Sequence, residues 1–243
     1  TKDTAVEYMK NAYYCSEEMA SLCAEVAERE IGILEKAGFG KGCSIYIGIP
    51  FCPTVCNYCS FSSLSLNKVN DADDLMRKYI EAIKKECGYA GSIFKDRPLT
   101  GIYIGGGTPT ALNEKYLSEL MDIIRADFNI KDALEFCVEA GRPDSINEEK
   151  LAILKNAGVD RISVNPQTMK DKTLSLIGRR HTAECTRRAF HMARACGFDN
   201  INMDLIAGLN GETVDDFKNT LNEIKKLSPE SFTVHSLVVK RAS

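Results

Sequence analysis

Apolar residues recur at three- and four-residue steps through the first part of the chain, at Tyr8, Ala12, Cys15, Met19, Leu22 and Val26. That period predicts a helix over residues 3–37, stopped by Gly38, Gly40 and Gly42. Beyond it, short β-rich runs alternate with helical patterns. Strands are predicted at Ile45–Ile49, Gly101–Gly105, Leu134–Glu139, Arg161–Asn165, Ile201–Ile206 and Phe232–Leu237. Helices are predicted at about 72–90, 113–127, 147–156, 183–195 and 214–226, the last with Val214, Phe217, Leu221 and Ile224 on one stripe. Ser145 with Glu148, and Thr213 with Asp216, read as N-terminal capping pairs.

Six such units fill residues 45–237, about 32 residues each, the size of a βαβ repeat. The alternation predicts a parallel sheet covered by helices. Periodicity alone leaves open whether that sheet stays flat or curls into part of a barrel. No Pro-, Gly- or Ser-rich linker interrupts it, so the expected organisation is an N-terminal helical extension (1–43) followed by one α/β domain (44–243).

With 44% hydrophobic and 27% charged residues, the composition excludes a disordered or collagenous chain. A formal net charge of −3 gives no footprint for nucleic acid or an anionic membrane. No stretch approaches the roughly 18–20 apolar residues of a membrane span, and the first ten residues lack the pattern of a signal peptide. A soluble, cytoplasmic protein is expected, and the chain, which starts at Thr1, is expected to be part of a longer one.

Seven of the ten cysteines (Cys15, Cys23, Cys43, Cys87, Cys137, Cys185, Cys196) are scattered among apolar residues and are expected to be buried free thiols. The other three, Cys52, Cys56 and Cys59, form C-x3-C-x2-C directly after the first predicted strand. Structural zinc would need a fourth ligand, and none lies near. A redox pair of Cys56 and Cys59 would leave Cys52 without a purpose. A [4Fe–4S] cluster held by three thiolates accounts for the count and leaves one iron open to a ligand. Elsewhere, polar residues recur where strands end: Gly105–Thr108, Glu139, Asn165 with Gln167, Asp204 and His235. Carboxyl ends of parallel strands share one face, where such folds bind ligands. Glycine at such an end lets backbone come close to a ligand, with carbonyls free to accept. His181 and His191, standing alone, are expected to be satisfied polar groups.

These residues carry a resemblance. Tyr46-x-Gly-Ile-Pro-Phe-Cys52, Cys56-Asn-Tyr58-Cys59, Gly105-Gly-Gly-Thr-Pro, Gly178-Arg-Arg-His181 and Asp204-Leu-Ile-Ala-Gly208 resemble the oxygen-independent coproporphyrinogen III oxidase group of the radical S-adenosylmethionine (SAM) enzymes. Glu139-Ala-Gly-Arg-Pro-Asp144, Asn165-Pro-Gln167 and the tail from Thr233 to Ser243 are similar to its bacterial coproporphyrinogen dehydrogenase branch. The resemblance implies a partial (βα)6 TIM-like barrel, a [4Fe–4S] cluster on Cys52, Cys56 and Cys59, and SAM contacted by Tyr46, Tyr58, Gly106, Gly107, Thr108, Glu139, Gln167, Arg179 and Asp204. It implies a SAM-dependent oxidoreductase that decarboxylates two propionates of coproporphyrinogen III to give protoporphyrinogen IX in haem biosynthesis. A flavodoxin- or ferredoxin-like protein would donate electrons, and Arg142, Arg179, Arg180 and Lys240 would meet the propionates. Well-studied oxidases carry a fourth cysteine after the third, where this chain has Ser60, Phe61 and Ser62. Related haem-trafficking chaperones also lack that cysteine, so a haem-binding chaperone without decarboxylase activity stands as the alternative, while Glu139-Ala-Gly-Arg-Pro and Asn165-Pro-Gln favour the enzyme branch.

Overall fold

The computed structural model describes residues 1–38 and 40–237, which fall into two compact units, Thr1–Gly42 and Cys43–Ser243. Lys240 lies outside the described residues.

The first unit is a helical hairpin of α1 (Lys2–Tyr13) and α2 (Glu17–Lys36), where periodicity predicts one helix. Tyr14 adopts the left-handed conformation (φ 54°), and the Ser16 hydroxyl accepts from Met19 N, with Glu17 and Glu18 in the new first turn. Apolar spacing runs unbroken through the corner because a left-handed residue plus a cap restarts a helix without disturbing the three-and-four count.

The second unit runs β1 (Cys43–Ile49), β2 (Phe51–Cys52), β3 (Leu64–Ser65), α3 (Ala72–Phe94), β4 (Leu99–Gly106), α4 (Glu114–Asp127), β5 (Glu135–Val138), α5 (Glu148–Asn156), β6 (Arg161–Ser163), α6 (Asp171–Leu176), α7 (Ala183–Ala195), β7 (Ile201–Ala207), α8 (Val214–Leu227) and β8 (Ser231–Ser236). Strands β1, β4, β5, β6, β7 and β8 pair in that order, every neighbour parallel, in the partial-barrel α/β architecture. All six predicted strands are present. Thr213 and Asp216 form the predicted capping box on α8, whereas α5 is capped by Asn147 and not by Ser145. Ser145 sits in a 3-10 turn, Pro143–Ser145, and its hydroxyl donates to Arg142 O instead. Among the described residues, no helix is long and apolar enough to cross a membrane.

Alternation along the strands separates core from site. Ile47, Ile49, Ile102, Ile104, Ile201, Met203 and Leu205 are buried in the main apolar core, together with Leu117, Leu120 and Ile124 of α4 and Phe190 of α7. The alternate positions are polar and bond to one another, across strands and along β7. Arg161 donates to Glu135 Oε2 (3.1 Å), Ser231 to Asn202 Oδ1 (2.9 Å), and Asn202 and Asn165 both donate to the Asp204 carboxylate (2.8 Å each). A two-residue period therefore places a hydrogen-bonded polar layer on the face opposite the helices.

Candidate functional site

The loop after β1 carries the three cysteines, and it is tied down from four directions. Gly107 N donates to Ile49 O and Thr108 N to Phe51 O, both at 2.7 Å, joining the end of β4 to the loop's start. Phe51 and Cys52 pair as β2 with Leu64 and Ser65 of β3, a parallel bridge that sequence reasoning missed because two residues show no period. Asn57 Nδ2 donates to Leu176 O (3.0 Å), Asn57 N to Ile177 O (3.1 Å) and Thr54 Oγ1 to Gly178 O (3.2 Å), fastening the middle of the loop. The fourth tie is Arg142, just beyond β5. Its Nη1 donates to Thr54 O (3.1 Å) and its Nη2 to Thr54 Oγ1 (3.0 Å).

The glycine run thus has a second use beside the predicted one. Gly106 and Gly107 do line the cavity, but a Cβ on Gly107 would lie 2.5 Å from Phe51 O and 2.9 Å from Ile49 O. Glycine is needed there so that the β4 end can approach the cysteine loop's own backbone.

Below the loop opens a cavity of about 310 Å³. Of the predicted site residues, Cys52, Cys56, Tyr58, Cys59, Gly106, Gly107, Thr108, Glu139, Gln167, Arg179 and Asp204 all line it, with Asn165 and His235. Tyr46 does not. Its exposed ring stacks on Tyr103 at 5.8 Å between centroids, and Tyr103 donates its hydroxyl to Glu139 Oε1. Tyr103 was missed, although it sits two residues before Gly105 on the polar face of β4. Cavity-lining Phe61, Gly141, Ile206 and Leu237 were also missed, since apolar residues and glycine carry no chemical signal.

The local electrostatics follow from burial. It lifts the Glu139 carboxyl above its ordinary value, against the lowering effect of the Tyr103 hydroxyl. Burial likewise raises Tyr103, Tyr58 and Cys59. Gln167 is held at φ 67°, unusual for a residue with a Cβ, by Gln167 N donating to Asp204 O (3.0 Å) and Ile206 N to Gln167 O (2.9 Å). Thr108 Oγ1 lies 3.4 Å from Cys52 Sγ, as a donor to it.

Three expectations are corrected. Arg142 is not available to a propionate: it is buried and every one of its N–H groups is already directed at a protein acceptor, Asp144 taking two of them at 3.0 Å. His181 is not a satisfied polar group. It is buried, neither ring nitrogen makes a hydrogen bond of good geometry, and the ring has only the weak attractions of the Pro166 backbone and of Asp144 Oδ1, 3.8 Å from Nδ1. Burial, then the Arg179 charge, push its pKa down to about 4. Of the seven scattered cysteines, only Cys87 and Cys137 are buried and the other five are partly exposed. Cys15, Cys43, Cys185 and Cys196 stand at or beside the ends of their elements, where packing covers a side chain on fewer sides.

The His181 shift gives a stability prediction. Between pH 6.5 and 4 the unfolded chain binds this proton and the folded one does not, so stability falls as pH drops through that window. The loss should approach about 3 kcal/mol, and His181→Gln should remove that part of the slope. Urea midpoints of both proteins at pH 7, 5.5 and 4.5 check it; parallel curves would contradict the assignment.

Among the described residues, no three His, Cys, Asp or Glu side chains surround one point closely enough to hold a single metal ion. Cluster ligands differ in this respect, since each thiolate takes a separate iron and their sulfurs stand wider apart than three on one ion. The donor set itself is soft and unpaired, all three thiols being free and partly accessible. Arg179, which lines the cavity, also keeps a buried Nε–H without a partner, a donor left over for a ligand.

Residues 46–224 match the model of the radical SAM superfamily. Over 247 aligned residues, all of this chain and 49% of the relative, the sequence is 41% identical to the oxygen-independent coproporphyrinogen-III oxidase-like protein HemZ of Bacillus subtilis (strain 168). It is 40% identical to the heme chaperone HemW of the same organism over 198 residues, 81% of this chain and 51% of that one. The structure of the coproporphyrinogen III oxidase HemN from Escherichia coli superposes with a TM-score of 0.74 at 29% identity, covering 85% of this chain and 47% of that chain. The chain thus spans about half the length of the curated relatives it matches.

Proposed function

The chain belongs to the radical SAM superfamily, and from that premise we propose that it is the barrel of a SAM-dependent oxidoreductase that decarboxylates coproporphyrinogen III. The observation that carries this reading is the convergence of the tied cysteine loop and the polar ends of β4 to β8 on one cavity. The superfamily's cofactors are a [4Fe–4S] cluster and SAM, which when bound supply one-electron cleavage of SAM and removal of a hydrogen atom from substrate.

The chain's own residues fit that task. Cys52, Cys56 and Cys59 would hold the cluster, and the ties to β4, Arg142 and 176–178 fix the loop that carries them. Glu139, Gln167 and Asp204 supply acceptors to SAM's polar groups, and the free Arg179 Nε–H supplies a donor. Tyr103 orients Glu139 by its hydroxyl bond, and Tyr58 covers the loop side of the cavity. The half-enclosed site limits water around the reaction. With Arg142 committed elsewhere and Arg180 outside the cavity lining, Arg179, whose Nη1 already donates to Gly141 O and Asn165 O, is the one described arginine of the predicted set left on the cavity for a substrate carboxylate. A protein of the flavodoxin or ferredoxin class would supply the electron that SAM cleavage consumes, and the electron released with each CO2 would pass to an acceptor.

A second reading, a haem-binding chaperone, is favoured by one feature: Ser60, Phe61 and Ser62 follow Cys59, with no fourth cysteine in the loop. Anaerobic turnover separates the two. Protein with reconstituted cluster is given SAM, dithionite and coproporphyrinogen III, and products are read by mass spectrometry. 5′-Deoxyadenosine and protoporphyrinogen IX together are expected. 5′-Deoxyadenosine alone would point to another substrate, and neither product with tight haem binding would support the chaperone.

A further inference from the structure

Arg142 makes a complete set of five bonds. Nε and Nη2 grip Asp144 through Oδ1 and Oδ2 (3.0 Å each), Nη2 and Nη1 grip Thr54 through Oγ1 (3.0 Å) and O (3.1 Å), and the remaining Nη1 N–H is directed at Cys56 Sγ at 3.7 Å. A planar guanidinium is the side chain with five donors in one rigid fork. Here the fork joins the residues after β5 to the cysteine loop, in a place where Arg142 is 3% exposed. Four of the donors could be explained by loop anchoring alone. The fifth meets a sulfur atom, on a residue that the proposed function makes a cluster ligand.

We infer that Arg142 is a positioning residue that also donates a hydrogen bond to the Cys56 thiolate and thereby raises the reduction potential of the cluster. The inference rests on the cysteine loop holding a cluster. Its physical basis is that a one-electron reduction adds negative charge to the iron–sulfur core and its ligands, and a donor at a ligating sulfur stabilises the reduced form more than the oxidised one. Asp144 sets the size of the effect. It lies across the fork at 3.0 Å from Nη2, and its negative charge opposes what the donor does. The two residues should therefore act on the potential with opposite signs.

That opposition distinguishes tuning from mere loop support. Reduction midpoints are measured by EPR-monitored titration of the reconstituted protein without SAM, alongside iron and acid-labile sulfide content. Arg142→Gln is expected to lower the midpoint, changing the reduced-to-oxidised ratio at fixed potential at least tenfold, which is 59 mV for one electron. Arg142→Lys should recover part of that shift because it keeps the charge and loses the fork. Asp144→Asn should raise the midpoint. Thr54→Val, which removes the hydroxyl's two anchoring bonds, from Arg142 Nη2 and to Gly178 O, and leaves the sulfur contact, should move it little. Midpoints that fall together in Arg142→Gln and Asp144→Asn, or stay unchanged with full cluster content, would overturn the inference. If Arg142→Gln takes up no iron, Asp144→Asn decides alone by the sign of its shift. A native protein that binds no cluster would instead overturn the reading of the cysteine loop, and the iron and sulfide analysis shows which has failed.

Discussion

Alanine at Cys52, Cys56 or Cys59 should abolish iron and acid-labile sulfide uptake and the visible absorbance of the reconstituted protein, whereas Cys87→Ala should leave all three intact. The argument is one of supply. Three thiols reach the cavity from a loop whose backbone is fixed at Ile49, Phe51, Thr54 and Asn57, and no other cysteine among the described residues lines it. A lost thiolate therefore has no substitute. Cys87 is the informative control because it is buried in α3, where burial, with Asp127 adding to it, pushes its thiol up to about 11. A protonated, enclosed thiol neither binds iron nor exchanges with the loop. A full cluster in any one of the three loop variants would refute the ligand assignment, and loss of the cluster in Cys87→Ala would mean that the assay reports general unfolding.

Gly107→Ala is expected to destabilise the cluster-free protein by about 3 kcal/mol and to impair cluster loading with it. The added Cβ would meet Phe51 O at 2.5 Å and Ile49 O at 2.9 Å, both of them backbone atoms that accept the bonds from Thr108 N and Gly107 N. Backbone cannot rotate aside as a side chain does, so relief requires β4 and the cysteine loop to separate, which breaks both bonds. Gly88→Ala provides the contrast. Gly88 sits within α3, and a Cβ added there would have nothing within 4 Å, so alanine should stabilise by about 0.5–1 kcal/mol through helix propensity. Urea midpoints of the two variants measure the difference. Equal stability of Gly107→Ala and the native protein would remove close backbone approach as the reason for that glycine.

Both predictions start from residues that could be singled out in the sequence, but for partly different reasons. The C-x3-C-x2-C spacing announces a soft-metal loop because three thiols within eight residues are a chemical statement independent of fold. The Gly105–Thr108 run announces only that some backbone comes close to something. That the something is the loop bearing Cys52 became visible when β1 and β4 were seen in register, with Ile49 opposite Gly106. The same limit explains Ser145, which has a capping residue's chemistry and the right spacing to Glu148, yet spends its hydroxyl on Arg142 O. Local spacing names a possible partner, and a nearer acceptor in the folded chain can take the bond first.

The features legible from the order of residues are periodic and local. The short β-rich runs placed six strands, the three-and-four spacing placed the helices between them, Thr213 and Asp216 capped α8, and the positions of Glu139, Gln167 and Asp204 at or near strand ends pointed to the face of the candidate site. Which distant groups meet was settled by folding alone: Arg142 with Cys56, 86 positions apart, Tyr103 with Glu139, and a buried His181 beside Asp144 with no hydrogen bond of good geometry to either ring nitrogen. Periodicity follows from backbone geometry that every residue shares, whereas those meetings depend on how parallel strands from separate units lie against one another. Nothing in the residues around Arg142 distinguishes a cation meant for a substrate carboxylate from one that locks a loop, until the loop is folded against it.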